Sequence, residues 1–271
     1  MKRVFAIILA GLMLLSLAAC GGKGDAEKNG TLQTNFNLAA LDDEHAKHIV
    51  KDLGFADVET VEYSNLSTAL MDLESGKIKS ISLEECIAKY VAAHNENIIA
   101  EISSSDRTNF SMMTMNTNTE VYDILNNAIK AMKEDGTLDA LIENELKAYI
   151  ESDPEAKDLP HFDGARTIKV GVTGDLPPMD FVASNGKAAG FNIALLAEIA
   201  NRAQVNIELV QIETGSRPMA LSSGKVDAVF WSKSITCPEC NKTWSEGIEG
   251  TLVTESYFSD NIASVKLKSD K

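Results

Sequence analysis

Cys237 and Cys240 enclose Pro238-Glu239, and this C-x-x-C spacing comes closest in the chain to a reactive or metal-binding motif. Three chemistries fit it. The pair can be a disulfide or two inert thiols, a redox dithiol whose thiolate is stabilised at a helix start, or half of a zinc site. No thioredoxin-like strand pattern surrounds it, and His45, His48 and His161 have no spacing that supplies two further ligands. A disulfide or inert thiols is the expectation, with no metal and no cofactor. Cys86, at a helix start beneath an apolar strand, reads as a buried small residue. No Ser/His/Asp set, phosphate loop or closely spaced carboxylate pair emerges, so the chain reads as a non-enzyme.

The other cysteine with chemistry is Cys20. Lys2 and Arg3 open the chain, Val4 to Leu17 carries no charge, and small residues precede the cysteine. That order is a secretory signal, and the run is shorter than the roughly 20 residues of a membrane span. Leu17-Ala18-Ala19-Cys20 resembles a bacterial lipobox, which implies a signal peptide over 1–19 and acylation of the Cys20 thiol. A plain signal peptide or an uncleaved anchor is the alternative. Glycine and charge dominate Gly21 to Gly30, so residues 20–32 are expected to be a flexible lipidated tether. The protein is thus placed on the extracytoplasmic face of the cell membrane. Its net charge of −15, more negative still without Lys2 and Arg3, argues against nucleic acid and against a polybasic grip on lipid.

The elements that position any site fall into two parts. Residues 151–165 begin Glu151-Ser152-Asp153-Pro154 and read as a linker, acidic and punctuated by Pro154 and Pro160. After it, over 166–271, strands at 167–172, 205–212 and 226–231 alternate with helices at 193–203 and 216–223, an α/β layer with right-handed crossovers. Before it, 33–117 is expected to hold helices at 45–53, 66–75 and 85–95 and strands at 57–63, 78–83 and 109–115. A helix pair then occupies 118–150, turning at Gly136. Both parts contain a helix ending in Ser-Gly-Lys that feeds a buried strand: Ser75-Gly76-Lys77-Ile78 and Ser223-Gly224-Lys225-Val226. Two similar α/β lobes around a cleft is the simplest architecture.

Gly174-Asp175-Leu176-Pro177-Pro178-Met179-Asp180-Phe181, Gly190-Phe191-Asn192-Ile193, Leu221 to Ala228, Ser234-Ile235-Thr236 and Tyr257-Phe258-Ser259-Asp260 together resemble the family 3 extracellular solute-binding proteins of ABC importers. Gly76-Lys77-Ile78, Ala88-Lys89-Tyr90 and the stretch Leu125 to Leu138 resemble the other lobe of that family. The resemblance implies a two-lobed periplasmic-binding-protein-like (type II) fold with a hinge and an interlobe cleft. The lobes stand in reversed order, as in a circular permutation whose old termini are joined by 151–165. Fifteen residues reach up to about 50 Å. Residues 118–150 are then expected on the C-terminal lobe, and 166–271 to end in a hinge strand.

The same resemblance implies the binding residues. Glu84 stands where the family has an acid for a ligand ammonium, at a strand's C-terminal end; the bland reading is a solvated helix-start carboxylate. Ser232 and Ser234 stand at ligand-contacting strand-end positions, or are turn serines. Phe181 and Trp231 offer an apolar platform, or core. The family's arginine for the ligand carboxylate is missing from Thr236-Cys237-Pro238-Glu239-Cys240, and Arg217 can substitute from another wall or lie on the surface. The implied partners are an amino-acid-like solute, an ABC permease and the membrane through its lipid anchor. The alternatives are a thiol-exchange lipoprotein using Cys237 and Cys240, and a ligand-sensing lipoprotein without a transporter.

Overall fold

The computed structural model describes residues 28–32, 59–237, 242–245 and 248–268. The signal segment 1–19, Cys20, the opening of the 33–117 unit up to residue 58 with its helix at 45–53, and Cys240, hence its pairing with Cys237, lie outside the described residues.

One flank of the main sheet is parallel, in the order β2-β1-β3, from β1 (Lys28–Leu32), β2 (Glu59–Tyr63) and β3 (Ser80–Glu84). Here the tether expected over 20–32 is corrected, because its last five residues are the middle strand of this flank. Both edges of β1 are hydrogen-bonded, so ladder pairing rather than side-chain propensity makes the strand. Its glycine is a packing residue: a Cβ on Gly30 would lie 2.7 Å from Ile78 Cδ1 and 2.9 Å from Tyr63 Cε2. Helices α1 (Leu66–Glu74) and α2 (Glu85–His94) accompany these strands, burying Leu66, Ala69, Leu73, Ile87, Ala88 and Val91. Asn65 caps α1, its side chain accepting from Thr68 N at 2.9 Å.

The centre of the sheet is antiparallel. β4 (Ile98–Met115) pairs first with β13 (Phe258–Leu267), then with β10 (Ala228–Cys237). A strand was expected only over 109–115, and the observed one starts eleven residues earlier, running through Ser103-Ser104-Ser105-Asp106. Pairing carries the strand through that polar run. The other flank is parallel again, with β5 (Thr167–Val172) between β10 and β9 (Asn206–Gln211). The full order is β2-β1-β3-β13-β4-β10-β5-β9, with β11 (Lys242–Ser245) beside β10 and β12 (Thr251–Val253) beside β4. A small antiparallel sheet of β6 (Asp175–Leu176), β7 (Asp180–Val182) and β8 (Ala188–Ala189) lies on the second flank's side. The protein is thus an α/β fold of two lobes, each with a parallel flank, joined by the long strands β4 and β13.

Helix α3 (Thr119–Glu134) buries Val121, Leu125, Ala128, Ile129 and Met132, one stripe at helical spacing. It packs on β4 and on α5 (Phe191–Ala203). Helix α5 is buried on nearly every face because strands β7, β8 and β9 cover one side and α3 another. Gly136, with φ +79°, turns the chain into α4 (Thr137–Leu141), and Arg202 of α5 clamps the turn through Asp135 Oδ2 and Thr137 Oγ1, each at 2.8 Å. The helix expected to run on to Ile150 instead widens into a π turn at Ile142–Leu146 and a short 3-10 turn at Lys147–Tyr149. The linker is pinned to the second lobe, where Ala156 bridges Ala189 and Phe162 N donates to Asn206 Oδ1 at 2.8 Å. Among the described residues no helix is long and apolar enough to cross a membrane.

Candidate functional site

The register of β10 against β4 shifts between Val229 and Ser232, and the bulge re-aims Trp231, whose φ is +68°. An unfavourable left-handed conformation at a bulky residue persists only where its surroundings hold it. Arg217, at the start of α6 (Arg217–Ser222), supplies the hold. Its Nη1 donates to the carbonyls of Phe230 at 3.1 Å and Trp231 at 3.0 Å, and its Nε to that of Thr214 at 2.9 Å. The guanidinium is buried. The arginine expected to face a ligand carboxylate from another wall therefore spends these donors on its own main chain.

The Trp231 indole stands edge-on to Phe110, with centroids 5.1 Å apart, and Phe110 stacks in turn on Phe258. Its Nε1 points to Asp180 Oδ2 at 3.4 Å. Asp180 is a buried hub. Its Oδ1 accepts from Thr173 N, Thr173 Oγ1 and Gly174 N at 2.7–2.9 Å, and its Oδ2 from Asn192 Nδ2 at 2.8 Å. Gly190 makes this junction possible, since at φ +103° a Cβ would sit 2.5 Å from the Met179 carbonyl. Phe181 follows Asp180 on β7, half-buried and paired with Asp175 and Ala189.

Across the sheet, Glu84 closes β3 opposite Ile262, and it is buried, unlike a solvated helix-start carboxylate. Lys233 Nζ reaches it from β10, 2.7 Å from Oε1. Ser232 and Ser234 flank that lysine, Ser232 buried opposite Ser111 and Ser234 half-buried opposite Asn109. Glu84 and the Ser232–Ser234 segment are thus joined through Lys233, and Trp231 adjoins them. A second contact between the lobes is Asp175 Oδ2, which accepts from Leu66 N at the start of α1 at 3.2 Å. Burial pushes the Asp175 carboxyl above its ordinary range.

A groove of about 900 Å³ opens beside this junction, between the start of α2, the 138–150 segment and the start of β13. It is lined by Cys86, Asp260, Tyr257, Phe258, Ile142 and Leu146 among others, and by none of the six expected ligand residues. Asp260 Oδ2 accepts from Cys86 N at 2.8 Å and so caps α2 from the other lobe, while burial raises its pKa. Burial also pushes the Cys86 thiol well up, as fits the inert small residue expected there. Among the described residues no His, Cys, Asp and Glu cluster could hold a metal.

Sequence reasoning missed Lys233 and Asp180 as site residues. Asp180 lies within the Gly174–Phe181 run and Lys233 between Ser232 and Ser234, and no local pattern distinguishes either from a surface charge.

Residues 168–244 match the model of the bacterial extracellular solute-binding proteins, family 3. No curated protein matches the chain. Among solved structures it is similar to the ligand-binding component of an ABC-type import system from Staphylococcus aureus, at 11% identity and TM-score 0.44 over 89% of this chain and 65% of that one. It thus spans less than two-thirds of that protein's length. The GluR0 ligand-binding core from Nostoc punctiforme in complex with L-glutamate is similar at 10% identity and TM-score 0.38, over 90% of this chain and 85% of that one. An alkanesulfonate-binding protein from Xanthomonas axonopodis is similar at 8% identity and TM-score 0.40, over 92% and 67%.

Proposed function

We propose that the protein is the lipid-anchored substrate-binding component of an ABC importer, capturing an amino acid or related small polar solute by closure of its lobes, without catalysis of its own. The observation that carries this reading is the convergence of Glu84 from one lobe with Lys233, between Ser232 and Ser234, from the other. A buried carboxylate and ammonium beside hydroxyls form the complementary set that a small zwitterion needs. Trp231 and Phe110 supply an apolar wall next to them. The family match over 168–244 supports the solute-binding class. Cys20 carries the anchor in this reading, which places the body on the extracytoplasmic face beside a permease. Packing of α3 on α5 supports a permuted order of lobes.

The test is a thermal-shift screen of residues 21–271 against free amino acids, small peptides and polyamines, followed by calorimetry. A ligand that binds only the folded protein at 100 times its Kd stabilises it by about 2.7 kcal/mol. A raised melting temperature with saturable binding supports the reading. A body that folds cooperatively and responds to no solute in the screen removes it.

A further inference from the structure

Met71 and Met219 are the two most exposed large apolar side chains among the described residues, 67% and 75% accessible. A single exposed apolar side chain is ordinary, but these two hold equivalent positions. With Ser75-Gly76-Lys77 laid on Ser223-Gly224-Lys225, Met71 of α1 falls on Met219 of α6. Buried residues match in the same register, Leu66 with Thr214, Ala69 with Arg217 and Leu73 with Leu221. The two helices also stand on equivalent strands, α1 on β3 and β13, α6 on β10 and β4. Under this exchange the sheet order β2-β1-β3-β13-β4-β10-β5-β9 reads the same from either edge. β3 is antiparallel to β13, β13 to β4 and β4 to β10, so exchanged strands run in opposite directions. A two-fold axis normal to the sheet at the β13–β4 pair has that property, and it keeps α1 and α6 on one face.

We propose that the exposed faces of α1 and α6, centred on Met71 and Met219, are a two-point docking surface for an integral-membrane partner that offers two equivalent apolar sockets. The anchored chain and its membrane partner are taken from the reading above. Chain length names the kind of partner. Eight positions separate Cys20 from Lys28, where β1 begins inside the first lobe. Fully extended, they reach about 29 Å at most. A lipid on Cys20 therefore holds this lobe close to the bilayer, and a partner embedded there meets it at an effective concentration set by that short leash. Methionine suits such a contact, because its unbranched, polarizable side chain adapts to the socket that receives it. A partner with one socket would leave the second methionine in water. A partner assembled from two like halves presents one socket to each lobe, and the linked contacts multiply in affinity.

The experiment uses the full chain in its native cell, with p-benzoylphenylalanine replacing Met71, Met219 or, as an exposed control, Ile102. Irradiation from positions 71 and 219 is expected to give adducts with one and the same integral-membrane polypeptide, identified by mass spectrometry. Position 102 should give none with it. The adduct from position 71 should fall at least tenfold when Met219→Arg is added, and that from 219 when Met71→Arg is added, because one socket alone does not hold the protein. Both arginine variants should melt like the wild type, as substitutions at exposed positions do. Should either unfold, the shared adduct of the two crosslinkers decides alone. Adducts with unrelated proteins, with a second copy of this chain or with lipid only overturn the proposal. So do an adduct from one methionine alone or from neither, an equal adduct from position 102, and a position-71 adduct undiminished by Met219→Arg. Solute binding by residues 21–271 is measured separately. If it persists while the paired adducts are missing, the docking surface falls and the solute-binding reading stands. Paired adducts on a body that binds no solute support the surface and remove that reading.

Discussion

Arg217 Nη1 lies 3.0 Å from the carbonyl oxygen of Trp231, the one residue among the described strands that holds φ at +68°. The guanidinium and the bulge explain one another. A bulged strand frees carbonyls that its ladder no longer pairs, and a buried cation with a planar fork of donors collects them. The indole is thereby aimed at Asp180 and Phe110, where it walls the junction between the lobes.

Arg217→Ala should cost about 3 kcal/mol of stability, the scale of losing charge-assisted hydrogen bonds to groups that stay buried. Arg217→Lys should recover only part of it, because an ammonium cannot span Thr214, Phe230 and Trp231 together. Urea unfolding measures both. A loss under about 0.5 kcal/mol for the alanine variant, typical of a surface residue, would show that the bulge holds itself.

Asp180→Ala should be as severe, since it leaves Thr173 N, Gly174 N and Asn192 Nδ2 without their acceptor. About 3 kcal/mol is expected, together with a shift of Trp231 emission as its indole loses its anchor. Asp180→Asn should be milder, because Asn192 Oδ1 has no partner in the structure and can turn to accept from the new amide. Equal losses for the two variants would refute that compensation.

Gly30→Ala separates the strand from the tether. A tether glycine accepts a methyl group freely. At Gly30 the methyl would meet Ile78 and Tyr63 inside 3 Å, and overpacking of that kind costs about 1–3 kcal/mol. Thermal unfolding of the soluble body reads it directly, with Gly24→Ala as the control in the glycine-rich stretch before the strand.

The contrast between these glycines shows what the chain reveals of its fold. Strands and helices with strong side-chain patterns, such as Thr167–Val172 and Phe191–Ala203, were legible because periodicity encodes burial. Strand β1 was not, since Lys28-Asn29-Gly30-Thr31-Leu32 has a spacer's composition and takes its stability from neighbours more than 25 residues away in sequence. The same holds for the serine-rich half of β4. At the site, Glu84 and Ser232 were named from resemblance. Lys233 and Asp180 act through contacts spanning 149 and 51 positions, which no local pattern reports.

Cys20→Ser should release the protein from the membrane fraction or leave it unprocessed, as the Leu17-Ala18-Ala19-Cys20 order implies. Fractionation with and without detergent decides it. A variant that remains in the membrane fraction and still needs detergent for extraction shows that the cysteine is not the anchor.

The acidity of the protein should have an unusual effect on its pH dependence. Burial raises the Asp175 and Asp260 carboxyls above their ordinary value. A carboxyl whose folded pKa exceeds its unfolded one makes the folded state the tighter proton binder. Its contribution to stability therefore rises as pH falls through the folded pKa, and is complete below the unfolded value near 4. Asp135 acts oppositely. Hydrogen bonds from Thr137 and Arg202 hold it down to about 2, so its contribution is present above pH 4 and is lost as pH falls toward 2. Stability should accordingly hold or increase from neutrality to about pH 4.5 and decline below pH 4. Asp260→Asn removes one proton site while keeping an acceptor for Cys86 N. Its melting temperature should exceed that of the wild type most at pH 7, with the gap narrowing as pH approaches 4. A gap that widens on acidification would mean that the ionised carboxylate stabilises the α2 start, and that its hydrogen bonds outweigh its burial.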